Sequence, residues 1–215
     1  TVALHGEIFV RRDDFSCQDL IKRLSNREII VKRAHVLEWL LYCDHLVDKG
    51  VLESGFNFRQ WLEFKAKLVL QRNLEKKIKK ILSRSGLYRY ELIKIKSILD
   101  YGKKFFDIRF TGEAILVTGS FFKDILHSTH GLISIGPFAC MPTRVIESIL
   151  SGESTLDVKK SLENGKLHNK EDDEDITKLP FLSIESDGNP FPQIIETRIE
   201  AFCLQVERLY KKIKQ

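Results

Sequence analysis

The sequence predicts an α/β fold: a small open parallel Rossmann-like sheet of about four strands, with helices on both faces and a helical insertion. Three observations lead there. Short runs rich in Val, Ile and Leu alternate with longer stretches whose apolar residues step by three or four. The connections are long enough for right-handed crossovers between parallel strands. The chain has 215 residues, 43% of them hydrophobic and 30% charged, enough to bury a core without disulfides. That composition excludes disorder throughout, a collagen-like chain and a disulfide-rich scaffold.

Val2–Val10 reads as a strand interrupted by Gly6. Arg11 to Asp14 is a polar turn, and Ser16 is placed to cap a helix over Cys17–Ser25. Glu28–Lys32 is a second short strand. Ala34–Lys49 is helical and Gly50 closes it. A long helix spans Phe58–Ser83, with Trp61, Phe64, Leu68, Leu70, Leu74, Ile78 and Ile81 at helical spacing. Tyr90–Tyr101 is a further helix ending at Gly102, and Thr111 is expected to cap another over Gly112–Leu126. Leu132–Ile135 is a buried-type strand. Gly136 to Cys140 form a loop, and Pro142 suits the first turn of a helix running to about Leu150. Residues 153–178 read as a charged loop with at most one short helix. Phe181–Glu185 is the last strand, Asp187 to Pro190 a turn, and Pro192–Lys212 the last helix. The whole, 1–215, is expected to be one α/β domain, with the helical insertion at 57–110.

Charge is uneven. Residues 57–104 hold fourteen Lys/Arg against four Asp/Glu, a surplus of ten, so the rest of the chain is acidic within the overall +5. Glu171 to Asp175 form an acidic run. The basic stretch suits an acidic partner, a phosphorylated ligand or nucleic acid, and equally a solvated helix face. Its aromatics Trp61, Phe64, Tyr88 and Tyr90 fall where a helix core needs them, which weakens a base-stacking reading. No run of 18 apolar residues appears, so no helical membrane span is expected. Met141 is the only methionine and Thr1 leads straight into a strand-like run, so the chain is expected to be a piece of a longer polypeptide.

The four cysteines, Cys17, Cys43, Cys140 and Cys203, form no C-x-x-C pair. Reduced thiols in the cytoplasm are the expectation. Cys140 is the candidate of most interest. It lies between a strand and a helix start, and ligands bind beyond the carboxyl ends of such strands. Helix N-termini favour anions, the thiolate that binds metal or attacks electrophiles among them. A small filler in the loop is the plain alternative. Cys17 opens a helix near the first strand end, while Cys43 and Cys203 sit among apolar positions and read as core. His127 and His130 with the Cys140 thiolate make a weak zinc pattern. Arg11, Arg12 and Arg144 are candidates to meet an anion. No phosphate-binding P-loop, dinucleotide fingerprint or serine nucleophile elbow is present.

Gly136–Arg144 (GPFACMPTR), Val145–Leu150, Pro180–Glu185, Asp187-Gly188-Asn189 and Thr197–Phe202 (TRIEAF) resemble the carboxyl-terminal part of the 2-hydroxyacyl-CoA dehydratase component family. The closest likeness is to the dehydratase-like region of large acyl-CoA dehydratase activase-related proteins, the CoA-substrate-specific enzyme activase type. Gly6–Arg11, Phe15-Ser16, Leu20-Ile21, Glu38-Trp39-Leu40 and Thr111–Gly119 fit the same region. The resemblance implies a cytoplasmic redox module whose Cys140 is a ligand of a [4Fe-4S] cluster. It implies as partners an ATP-hydrolysing activase domain or protein and an acyl-CoA, with homo-oligomer formation open. In that family one low-potential electron from the activase drives elimination of water from a 2-hydroxyacyl-CoA. Cys17, Cys43 and Cys203 do not match the family's other cluster positions, and the activase ATPase motifs are missing. The chain alone is therefore expected to be inactive. The alternative reading is a non-catalytic interaction or regulatory domain without a cluster.

Overall fold

The computed structural model describes residues 1–163 and 177–214. In chain order the elements are β1 (Val2–Gly6), α1 (Leu20–Ser25), β2 (Val31–Arg33), α2 (Val36–Asp48), α3 (Phe58–Ser83), α4 (Ile95–Gly102), α5 (Glu113–Asp124), β3 (Leu132–Pro137), α6 (Met141–Glu153), α7 (Leu156–Leu162), β4 (Phe181–Ser186) and α8 (Gln193–Lys214). All strand pairs are parallel, in the order β2-β1-β3-β4. The fold is therefore the predicted open α/β sheet with helices on both faces. The chain divides into two compact units, Thr1–His35 with Ser97–Gln215, and Val36–Lys96.

In the first unit one sheet face is almost purely apolar. Val2, Leu4, Ile133, Ile135, Leu182 and Ile184 pack with Leu20 and Leu24 of α1 and with Ile199, Phe202 and Val206 of α8. This follows from the period-two alternation of the strands meeting a helical stripe. The other face, toward α5 and α6, carries polar side chains. His5, Ser134 and Ser183 are register partners across β1, β3 and β4, and all three are buried. The hydroxyls of Ser134 and Ser183 have no hydrogen-bond partner among the described residues.

Several boundaries move, each for a local reason. β1 stops at Gly6 instead of Val10, because Gly6 turns to φ 107° and the chain coils into a turn in which the Glu7 carboxylate accepts from the Val10 N–H at 2.7 Å. Gly112, at φ 138°, takes the N-cap of α5 that was expected of Thr111. α3 keeps its predicted span because Asn57 and Gln60 form a reciprocal capping box. Residues 90–94 stay out of α4 since side chains of α3 occupy their backbone groups. The Ile93 N–H donates to Glu75 at 2.8 Å, Lys79 donates to the Glu91 carbonyl at 2.7 Å, and Arg72 donates to the Ile93 carbonyl at 3.0 Å. The second unit thus turns the usual pattern around. Glu75 and Lys79 are the buried residues of α3, whereas Leu70, Leu74, Ile78 and Ile81, expected on its apolar packing side, are exposed. Within 153–178, α7 is the short helix anticipated; the acidic run Glu171 to Asp175 lies outside the described residues.

A Cβ on Gly6 would stand 1.9 Å from the Ile135 carbonyl oxygen, and that on Gly50 would meet nothing within 4 Å. Gly6→Ala is expected to cost at least about 3 kcal/mol, or folding itself, and Gly50→Ala about 1 kcal/mol from its left-handed φ alone. Urea unfolding of the two variants checks the difference.

Candidate functional site at the strand-end edge

The strand order reverses between β1 and β3, so the crevice beyond their carboxyl ends is the position where open α/β sheets hold ligands. Two glycines let backbones close in there. Beside Gly6, the Glu7 N–H donates to the Ile135 carbonyl at 2.9 Å. A Cβ on Gly136 would meet the Thr143 hydroxyl at 2.1 Å, so β3 runs tightly under the first turn of α6.

Cys140 is the N-cap of α6, half-buried, with extended backbone and Pro142 in the helix's first turn, as expected. Ala139 before it holds a left-handed φ of 57°, which swings the chain from strand to helix. The Cys140 N–H donates to the Pro137 carbonyl at 3.1 Å, and its carbonyl accepts from the Arg144 N–H at 3.0 Å. Phe138 and Met141 on either side are exposed, as are Phe9 beyond β1 and Phe15 before α1. Four large apolar side chains thus face solvent along one edge, an arrangement that marks an interaction surface.

The other cysteines are elsewhere. Cys17 is buried in the apolar core and its thiol donates to the Val10 carbonyl at 2.8 Å; burial pushes it up to about 11. Cys203 is buried in α8 and Cys43 half-buried in α2, both raised by burial.

The zinc pattern is not formed. His130 precedes β3 and Cys140 follows it, which places them at opposite ends of a six-residue strand. The His130 ring lies edge-on to Tyr210 with Nδ1 3.3 Å from the Thr1 amine. His127 Nε2 lies 2.9 Å from Glu163 Oε1. That carboxylate also accepts from the Tyr101 hydroxyl at 3.1 Å and from the fully buried Lys159 ammonium, which donates to the Phe122 carbonyl as well. This cluster is a satisfied staple joining α4, α5 and α7. Among the described residues no group of three or more His, Cys, Asp or Glu is placed to hold a metal.

The arginines divide. Arg11 is buried and donates to the Gly6 carbonyl, Arg12 is exposed, and Arg144 is engaged with Glu185 through a 2.7 Å bond. The residue that sequence reasoning missed is Glu113, in the first turn of α5. Burial pushes its carboxyl up to about 7; the Arg11 charge opposes that rise and Glu7 adds to it. Its only sequence signal is a carboxylate one residue after a helix-starting glycine. His5, just inside β1, is held down at about 3, by burial first and then by the positive charges of Arg11, Lys32, Lys123 and His35.

A cavity of about 220 Å³ opens away from this edge, lined by Arg23, Asn26, Arg27, Ile199, Glu200 and Cys203. Its guanidinium groups are already paired with Glu196 and Glu200, so the strand-end edge remains the better candidate. No family model matches the chain, and neither a curated protein nor a solved structure does so.

The two perturbed groups predict opposite pH responses. The unfolded chain binds a proton at His5 that the folded one refuses, so stability falls as pH drops from about 6.5 toward 3, by up to about 1.4 kcal/mol per pH unit. The folded chain keeps a proton on Glu113 that the unfolded one releases, so that contribution is present below 4.5 and is lost as pH rises through about 7. Urea titrations across this range should show His5→Gln flattening the acid limb and Glu113→Gln removing the opposing loss; an unchanged slope in either variant refutes its assignment.

Proposed function

We propose that the chain is a redox module of a 2-hydroxyacyl-CoA dehydratase/activase-related protein, in which Cys140 supplies one thiolate to an iron–sulfur cluster completed by another polypeptide segment. A [4Fe-4S] cubane takes four ligands. The donor set among the described residues does not fit a cluster held by this chain alone. What supports a single contribution is the setting of Cys140: it caps a helix at the switch-point edge, between the exposed Phe138 and Met141. A cluster shared across an interface needs a ligand on a docking surface, and this edge combines the two. In this reading the chain's own residues hold the thiol in place through the tight Gly136–Thr143 approach, and the apolar rim excludes water once a partner covers it.

The shortage of ligands favours a second reading, a non-catalytic interaction domain that docks through the same edge without iron.

Iron and sulfide analysis separates them. The chain alone, reconstituted with ferrous iron and sulfide, is expected to retain no cubane. Anaerobically prepared protein from the full parent reading frame is expected to carry iron that Cys140→Ala loses and Cys17→Ala keeps. Iron content unchanged in Cys140→Ala removes Cys140 from the site and leaves the interaction reading. Alkylation by iodoacetamide should reach Cys140 well before the buried Cys17 and Cys203.

A further inference from the structure

Outside the strand-end edge, the strongest feature is a cationic face on the last three turns of α3. At about 100° per residue these turns divide into three sectors. The buried Glu75 and Lys79 lie on one. Leu74, Ile78, Ile81 and Leu82 share a second. Asn73, Lys76, Lys77, Lys80 and Arg84 fill the third, within an arc of about 100°. All five are exposed. Arg84, the C-cap, keeps helical backbone angles of φ −66° and ψ −19°, so it continues the row. Between residues 73 and 84 no apolar side chain falls inside this arc.

Other cations of the helix are neutralised within the unit. Arg59 pairs with Glu63, Lys65 with Asp48 and Lys67 with Asp44, while Arg72 and Lys79 share Glu75. Lys76, Lys77, Lys80 and Arg84 have no carboxylate partner among the described residues. Lys76, Lys80 and Arg84 follow one another four residues apart, and like charges at that spacing oppose the helix. The unit thus concentrates repulsion on one face and supplies nothing to relieve it.

We propose that this face binds the phosphate backbone of a nucleic acid by charge, without reading its sequence. Lys76, Lys80 and Arg84 step along one ridge, rising about 6 Å and turning about 40° each time. A sugar–phosphate backbone repeats one charge per residue along a smooth curve, and neutralising its phosphates releases the condensed counterions that drive such binding. An amphipathic protein helix fits poorly, because the hydrocarbon of these turns is centred about 130° around α3 from the cations and could not share their contact. An anionic bilayer fits poorly for the same reason, since nothing apolar would insert where the cations touch. The proposal goes beyond the reading of Cys140 and does not depend on it.

The test titrates the whole chain onto a fluorescein-labelled DNA duplex of about 20 base pairs, with anisotropy read from about 50 to 300 mM salt. Four phosphate contacts give an expected slope of log Kd against log salt of about 3.6. Lys76→Gln with Lys80→Gln should cut that slope to about 1.8 and weaken binding at the lowest salt at least about tenfold. Duplexes of unrelated sequence should bind alike, within about threefold. Arg208→Gln with Lys211→Gln removes two exposed cations of α8 and should leave the slope unchanged. Circular dichroism should not change in either variant, since all four positions are exposed. No binding at the lowest salt, or an unchanged slope in the α3 variant, overturns the proposal. An equal loss in the α8 variant overturns it too, by making net charge alone responsible. So does displacement of the duplex by poly-glutamate at equal charge, which would assign the face to an acidic protein. Flotation with phosphatidylserine-containing vesicles that requires Lys76 and Lys80, in place of DNA binding, would overturn it by assigning the face to a bilayer.

Discussion

The close approach of β1 to β3 at Gly6 is the constraint on which the rest of the first unit depends. With no side chain on Gly6, the backbone reaches the Ile135 carbonyl and the Glu7 N–H can bond it. That contact fixes β3 on the side of β1 opposite β2, which creates the reversal in strand order. It also presents the Gly6 carbonyl to Arg11, the guanidinium whose charge acts on both Glu113 and His5. One strand over, Gly136 repeats the device by admitting the Thr143 hydroxyl, and so sets the position of the first turn of α6. The edge that carries Cys140 is therefore shaped by two missing side chains.

The architecture was readable because both periodicities are strong where the core is apolar. α8 shows Ile199, Phe202, Val206 and Leu209 on one face, and all four are buried. The placement of Cys140 at a helix start followed from local residues alone, namely a strand, a glycine and a proline two positions after the thiol. Glu113 was not legible, since its environment comes from β1 and its loop, a hundred residues away in sequence. The zinc pattern misled for the converse reason: three residues near one another in sequence are held apart by the strand that separates them. α3 misled through its periodicity, because spacing tells which residues share a side but not whether that side is the one turned inward.

α3 also shows how a short polar network can take the place of packing. Glu75 accepts from Lys79, Arg72 and the Ile93 N–H, and this satisfies a buried carboxylate that would otherwise be costly. Its carboxyl is held below the usual range because those bonds outweigh the effect of burial, which is the largest single influence and acts the other way. Removing one partner from such a network costs more than the bond itself, since the remaining charge stays buried. With charge turned inward, the hydrocarbon of the helix is left on the outside.

The two faces of the sheet differ in kind. Toward α1 and α8 the strands offer almost only hydrocarbon, whereas toward α5 and α6 an imidazole and two serine hydroxyls form one transverse row. The next row on that second face, Ala3, Leu132 and Phe181, is apolar again, and the Phe181 ring meets Phe121 of α5 edge-on at 6.4 Å. The two hydroxyls are therefore enclosed by hydrocarbon with no partner among the described residues, and a hydroxyl so enclosed gives up its bonds to water without replacing them. In evolutionary terms this row is a place where stability has been left unclaimed.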